Sequence, residues 1–164
     1  MEKDKLPGKP SELIRLALAD LEWCEDNEDY RINMDTWHRF EGMETPMGED
    51  NEHCCEVCMA GAIMAHTLEL PKTTDARPGD FINENTQRKL VAIDNLRSGS
   101  VKTALECMGI ENDAALEAIM HDPELSLSPP SARRVCIPEY CYCDRDKFDE
   151  AMHRLADILE QHDL

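Results

Sequence analysis

The chain has 164 residues, with 17 Lys+Arg against 35 Asp+Glu, a net charge of −18. That length suits one domain that hides about two thirds of the surface an unfolded chain exposes, and a hydrophobic content of 41% excludes wholesale disorder. The charge excludes free nucleic acid as a direct partner, because phosphates are repelled.

Residues 1–10 read as a polar tail, and 11–164 as a single helical domain. Ser11 is a good N-cap and Glu12 supplies a carboxylate to a first turn. Leu13, Ile14, Ala17, Leu18, Leu21 and Cys24 share one arc of a helical wheel, and Glu25 and Glu28 would spoil that arc. The helix therefore ends near Cys24 or Glu25, and an acidic loop follows. Tyr30 to Met34 alternates apolar and polar, which suits a short extended segment. Asp35 to His38 is expected to begin a helical turn, with Trp37 packed inward. Residues 41–52 carry Gly42, Pro46 and Gly48 and read as a solvated loop.

Cys54 to His66 is apolar nearly all round, which predicts a buried central helix at about 54–68, ended by Pro71. Cys54, Cys58, Gly61 and Ala65 would form its stripe of small side chains, open to close approach by another helix. Residues 73–85 are loop. A helix starts at Glu84 or Asn85 and closes at Ser98-Gly99, with Leu90, Ile93 and Leu96 inside. Ser100 caps the next, which runs to Met108, and Gly109 suits the left-handed position after it. Asn112 or Asp113 begins another, which Pro123 prevents from continuing. Four prolines make 123–143 irregular. Asp144 caps a last helix with Phe148, Ala151, Met152, Leu155, Ile158 and Leu159 inside. The expected fold is mainly α: five or six helices around a buried central one, with at most a minor strand element.

The N-terminus has no apolar core for a signal peptide, and the longest apolar run, Val57 to Ala65, is far short of the ~18 residues a membrane span needs. A cytoplasmic protein with reduced thiols and no membrane partner is expected. Eight Cys still leave other roles open. Cys55-x-x-Cys58 with Cys141 and Cys143 could bind a structural zinc, though a buried helix would make these packed core thiols instead. A thiol-dependent enzyme would need a Cys beside a His and an orienting acid, and no local signature for one occurs. There is no phosphate-binding glycine loop and no calcium-loop order. His66 and His121 fall near helix C-termini, where a cation is favoured. The nine Met suit gap filling in a core.

Acidic clustering is the strongest chemical signal. Six acids and no base lie between Asp20 and Asp29, and five acids and no base between Glu41 and Glu52. Carboxylates at a helix C-terminus oppose its dipole, so local stability does not explain the first cluster. Solubility is one reading. The other is an electrostatic partner-binding face made by Glu22, Glu25, Asp26, Glu28 and Asp29 with Glu41, Glu44, Glu49, Asp50 and Glu52.

Three stretches, Tyr30-x-Ile32-x-Met34-x-x-Trp37-His38, Cys55-x-Val57-Cys58-x-Ala60-Gly61-Ala62-x-Met64-Ala65 and Ala92-Ile93-x-x-Leu96-Arg97-x-Gly99, resemble a group of small proteins encoded in phage and prophage genomes. The resemblance spans residues 11–99 and brings no catalytic residue with it. It implies an accessory protein acting inside a bacterial host cell. The expected function is then non-enzymatic and needs no cofactor: an acidic protein that binds a host protein with a basic surface, as a nucleic-acid mimic inhibiting a defence, replication or transcription factor. A zinc-stabilised interaction module and a thiol-dependent enzyme are the alternatives.

Overall fold

A computed structural model describes residues 6–41, 54–127, 135–136 and 145–164 of the chain. Six α-helices carry the fold: α1 (Pro10–Glu25), α2 (Met59–Ala65), α3 (Glu84–Arg97), α4 (Val101–Cys107), α5 (Asp113–Met120) and α6 (Arg145–Gln161). A small sheet joins β1 (Tyr30–Ile32), β2 (His38–Glu41) and β3 (Cys54–Val57) in the order β1-β3-β2. The fold is therefore mainly helical with a minor strand element. A two-residue pair, β4 (Ser126–Leu127) with β5 (Val135–Cys136), lies in the stretch expected to be irregular.

Helix ends follow local chemistry. Pro10 sits in the first turn of α1, where its missing N–H costs nothing, so Lys9 rather than Ser11 takes the N-cap position. The helix stops at Glu25, where the next turn would have put acids on its apolar arc. Asn83 and Asn112 cap α3 and α5 by accepting backbone N–H bonds at the first turn. Ser100 occupies the N-cap position of α4 without a side-chain bond. Gly99 and Gly109 take positive φ values of 83° and 73° where α3 and α4 end.

Three expectations are corrected. The helix placed over 54–68 is two elements: Cys54–Val57 is a strand, and α2 covers only Met59–Ala65, all seven residues of it buried. An all-helical reading would bury Glu56 among apolar neighbours. As a strand the chain turns Glu56 to the face opposite Cys55 and Val57, where the Arg31 guanidinium (3.2 Å) and the Asn33 amide (2.7 Å) meet its carboxylate. His38 does not enter a helical turn. It opens β2, paired antiparallel with Val57. Within the stretch read as a polar tail, Leu6 is buried and its carbonyl accepts from the Lys89 ammonium at 3.0 Å. Cys54, now in a strand, leaves the small-residue stripe. What approaches Gly61 is the Trp37 carbonyl, not another helix.

One continuous core joins α1, α2, α3, β3 and α6, with Leu13, Ile14, Met64, Ile93, Phe148 and Leu155 near its centre. Helices α1 and α6 lie antiparallel, as their ion pairs show. Lys9 meets Asp163 at 3.1 Å, and Arg15 meets Glu160 at 2.8 Å and Asp157 at 2.9 Å.

Candidate functional site

The sequence periodicity of α1 puts Arg15, Leu18, Ala19, Glu22 and Asp26 on one stripe, at spacings of three, four and seven. On α6 the spacing of Asp146, Asp149, His153 and Asp157 does the same. Since the helices are antiparallel, the two stripes run in opposite chain directions along one groove. Their contacts with each other change character along its length. At the start of α1 the bases Lys9 and Arg15 hold α6 carboxylates. Toward its end Glu22, Glu25 and Asp26 share a cavity of about 390 Å³ with Arg15, Asp149 and His153. A wider cavity of about 1000 Å³ continues from Asp149 and His153 past Asp146, Lys147, Glu150 and Arg154 to Glu124. Between Leu16 and Asp29 the chain has no Lys or Arg. Arg154 is already held by the buried Asp122 at 2.6 Å and by Glu124 at 3.1 Å.

The expected acidic face is thus divided. Glu22, Glu25 and Asp26 line the groove. Glu28 and Asp29 are exposed on the loop that follows, and Asp29 pairs with Lys72 at 2.9 Å. Asp20, counted among the clustered acids, is buried and faces inward. It accepts from the Thr67 hydroxyl at 2.5 Å and from His66 Nδ1–H at 2.8 Å, tying α1 to the end of α2. Burial raises the Asp20 carboxyl above its ordinary value, and these two donors pull it back. Glu41 ends β2, and Glu44, Glu49, Asp50 and Glu52 lie outside the described residues. The sequence does not single out the α6 acids. Their spacing marks the polar side of an amphipathic helix, but nothing local says that this side meets Glu22 and Asp26.

The thiols tell a different story. Cys55 Sγ lies 3.5 Å from Nδ1 and 3.6 Å from Nε2 of His38. His38 Nδ1 is 2.6 Å from the Thr74 carbonyl, which makes it the protonated nitrogen, by inference from its partner. A sulfur equidistant from both nitrogens is off the Nε2 lone-pair axis. Both side chains are buried. Burial pushes the Cys55 thiol up to about 12 and lowers His38, so both stay neutral, the reverse of what a nucleophilic thiolate needs. Cys58 accepts from Gly61 N–H at the start of α2, at 3.4 Å. Cys55 lies in β3, and Cys58 follows the strand as the extended N-cap residue of α2. Cys141 and Cys143 lie outside the described residues, among which no group of three or more metal-ligating side chains occurs.

Two expected outcomes follow. Native-state alkylation at pH 8 is expected to label half-exposed Cys54 and Cys107 well before buried Cys24, Cys55 and Cys58, and peptide mapping of the labelled sites checks this. Burial also raises Cys24 and Cys55 from 9.0 to about 12, and Cys58 to about 11. The unfolded chain loses these protons first. Their stabilisation is therefore complete below about pH 9 and lost as pH rises toward the folded values. Urea midpoints are expected to fall between pH 9 and 11 and to stay flat across that range's lower side, from pH 8 to 9.

Among the described residues no helix is long and apolar enough to cross a membrane. Protein-family models, curated proteins and solved structures give no match to this chain.

Proposed function

We propose that the chain is a non-catalytic binding protein that presents concentrated negative charge to a positively charged protein surface. On this reading it is a phage accessory protein working in the cytoplasm of a bacterial host, where it occupies a basic groove that otherwise holds DNA or RNA. The observation that carries the reading is the groove itself: Glu22 and Glu25 of α1, Asp26 just after it and Asp149 of α6 share one cavity, in which Arg15 is already held by Asp157 and Glu160. Negative potential focused in a concave site attracts cations more strongly than the same charges spread over a convex surface. The net charge of −18 extends that attraction to long range.

The test is capture from bacterial lysate at low and at high salt, with identification by mass spectrometry, using the native protein and the triple variant Glu22→Lys, Glu25→Lys, Asp26→Lys. At about 1 kcal/mol for each reversed contact, the variant is expected to bind its partner about a hundredfold more weakly at low salt. A partner that the variant binds as tightly as the native protein does, with no salt dependence, would falsify the reading.

A further inference from the structure

A separate cleft, sharing no lining residue with the α1–α6 groove, opens at the outer edge of β2. Residues 74–77 run along that edge. Ala76 forms an antiparallel bridge with His38, its N–H donating to the His38 carbonyl at 2.9 Å, and Phe40 N–H donates to Asp75 Oδ1 at 2.8 Å. His38 and Ala76 are buried. Alternation along both segments therefore turns Trp37, Arg39, Asp75 and Arg77 to the opposite face. The antiparallel register sets Arg77 across from Trp37 and Asp75 across from Arg39. The cleft they line holds about 700 Å³, within the ~300–1,000 Å³ of small-molecule sites. Its walls are tied together before any ligand arrives. His38 Nδ1–H donates to the Thr74 carbonyl, and the Trp37 carbonyl takes the Cys58 N–H and abuts Gly61.

Most polar groups of the cleft are already used by the frame. Arg39 stands in register between Glu56 of β3 and Asp75. The Asp75 carboxylate takes Phe40 N–H, the Asp80 carboxylate takes Arg77 N–H, and the Thr36 hydroxyl donates to the Asn33 carbonyl. Three groups are left. The Arg77 guanidinium and the Asp35 carboxylate are exposed, and neither forms an ion pair with any described residue. The Trp37 indole is half-buried. One cation, one anion and one flat apolar surface match a zwitterion with a flat side chain. The charge of the whole chain narrows the choice. A net −18 repels a free anion, and a free cation would sit against two guanidinium groups, whereas a zwitterion carries no net charge for either to act on. We propose that this cleft binds a free aromatic α-amino acid. Its carboxylate accepts the forked N–H groups of Arg77. Its ammonium meets Asp35, and its ring lies against the Trp37 indole. The site is independent of the acidic groove, and either can fail without the other.

The probe is L-phenylalanine, titrated into the native protein by calorimetry. Its controls are phenylpropionate, which lacks the ammonium, and phenethylamine, which lacks the carboxylate. Phenylalanine is expected to bind at least about tenfold more tightly than either, because each control loses one charge-assisted contact. Arg77→Gln and Asp35→Asn are each expected to weaken it about tenfold, with the melting temperature unchanged, since both side chains are exposed. Arg88→Gln, which removes an exposed guanidinium from α3, is expected to leave it unchanged. In a Trp23→Phe background Trp37 is the one tryptophan of the chain, and its emission is expected to shift as the site fills. Either control binding as tightly as phenylalanine overturns the proposal, since the site then reads only one charge. The absence of saturable phenylalanine binding overturns it as well. So does a Trp37 emission that stays constant at saturation, or an Arg88→Gln variant weakened as much as Arg77→Gln.

Discussion

Gly61→Ala is expected to destabilise the protein by about 3 kcal/mol or more, at the upper end of what overpacking costs. A Cβ at this position would stand 1.7 Å from the Trp37 carbonyl oxygen and 2.7 Å from its carbon. No Cβ survives such a distance to backbone, so one partner must move. The carbonyl is not free to swing away, because it accepts the Cys58 N–H at 3.2 Å, at the point where β3 hands over to α2. Helix α2 cannot retreat either, since its residues are all buried against the core. Helix propensity argues the other way: alanine in a helix interior is worth about 1 kcal/mol more than glycine. The sign of the measured change therefore decides which effect wins. Urea denaturation showing Gly61→Ala at or above native stability would refute the close approach. A melting temperature lowered by ten degrees or so is the expected result.

Phe148→Ala is expected to cost about 3–5 kcal/mol, the range for truncating a fully buried aromatic side chain. Phe148 is the largest fully buried side chain of the described residues, 1% exposed, and it fixes the first turns of α6 to the core. Its sequence neighbours Lys147 and Asp149 both line the wider cavity. The variant is therefore expected to lose more than stability. With its anchor removed, the acidic end of α6 no longer holds a fixed distance from Glu22 and Asp26. Partner binding at low temperature, where the variant still folds, should fall even though no charge has changed. A large loss of stability with fully retained binding would mean that the groove's width does not matter, and that exposed charge alone carries the association.

Much of the helical framework is legible in the residues taken singly. A helix satisfies its backbone within four residues, so Pro10, Asn112, Gly109 and Pro123 act where they stand. The apolar arcs of α1, α3 and α6 read correctly for the same reason: their periodicity is local. The net charge of −18, and the concentration of acids after Cys24, also needed no coordinates.

Other features depend on partners far along the chain. Cys54–Val57 looks helical by composition, and becomes a strand because Tyr30–Ile32 and His38–Glu41 supply its hydrogen bonds from either side. Asp20 reads as one surface acid among six, until α2 brings His66 and Thr67 over it. Which carboxylates face one another is likewise a matter of packing. Periodicity shows that Glu22 and Asp26 share a face, and that Asp149 and Asp157 share another, but only the antiparallel seating of α1 on α6 closes one end with ion pairs and leaves acids together at the other. Local hydrogen bonding and hydrophobic pattern determine what each segment is. Burial and long-range pairing decide which segments meet, and the groove exists only where they do.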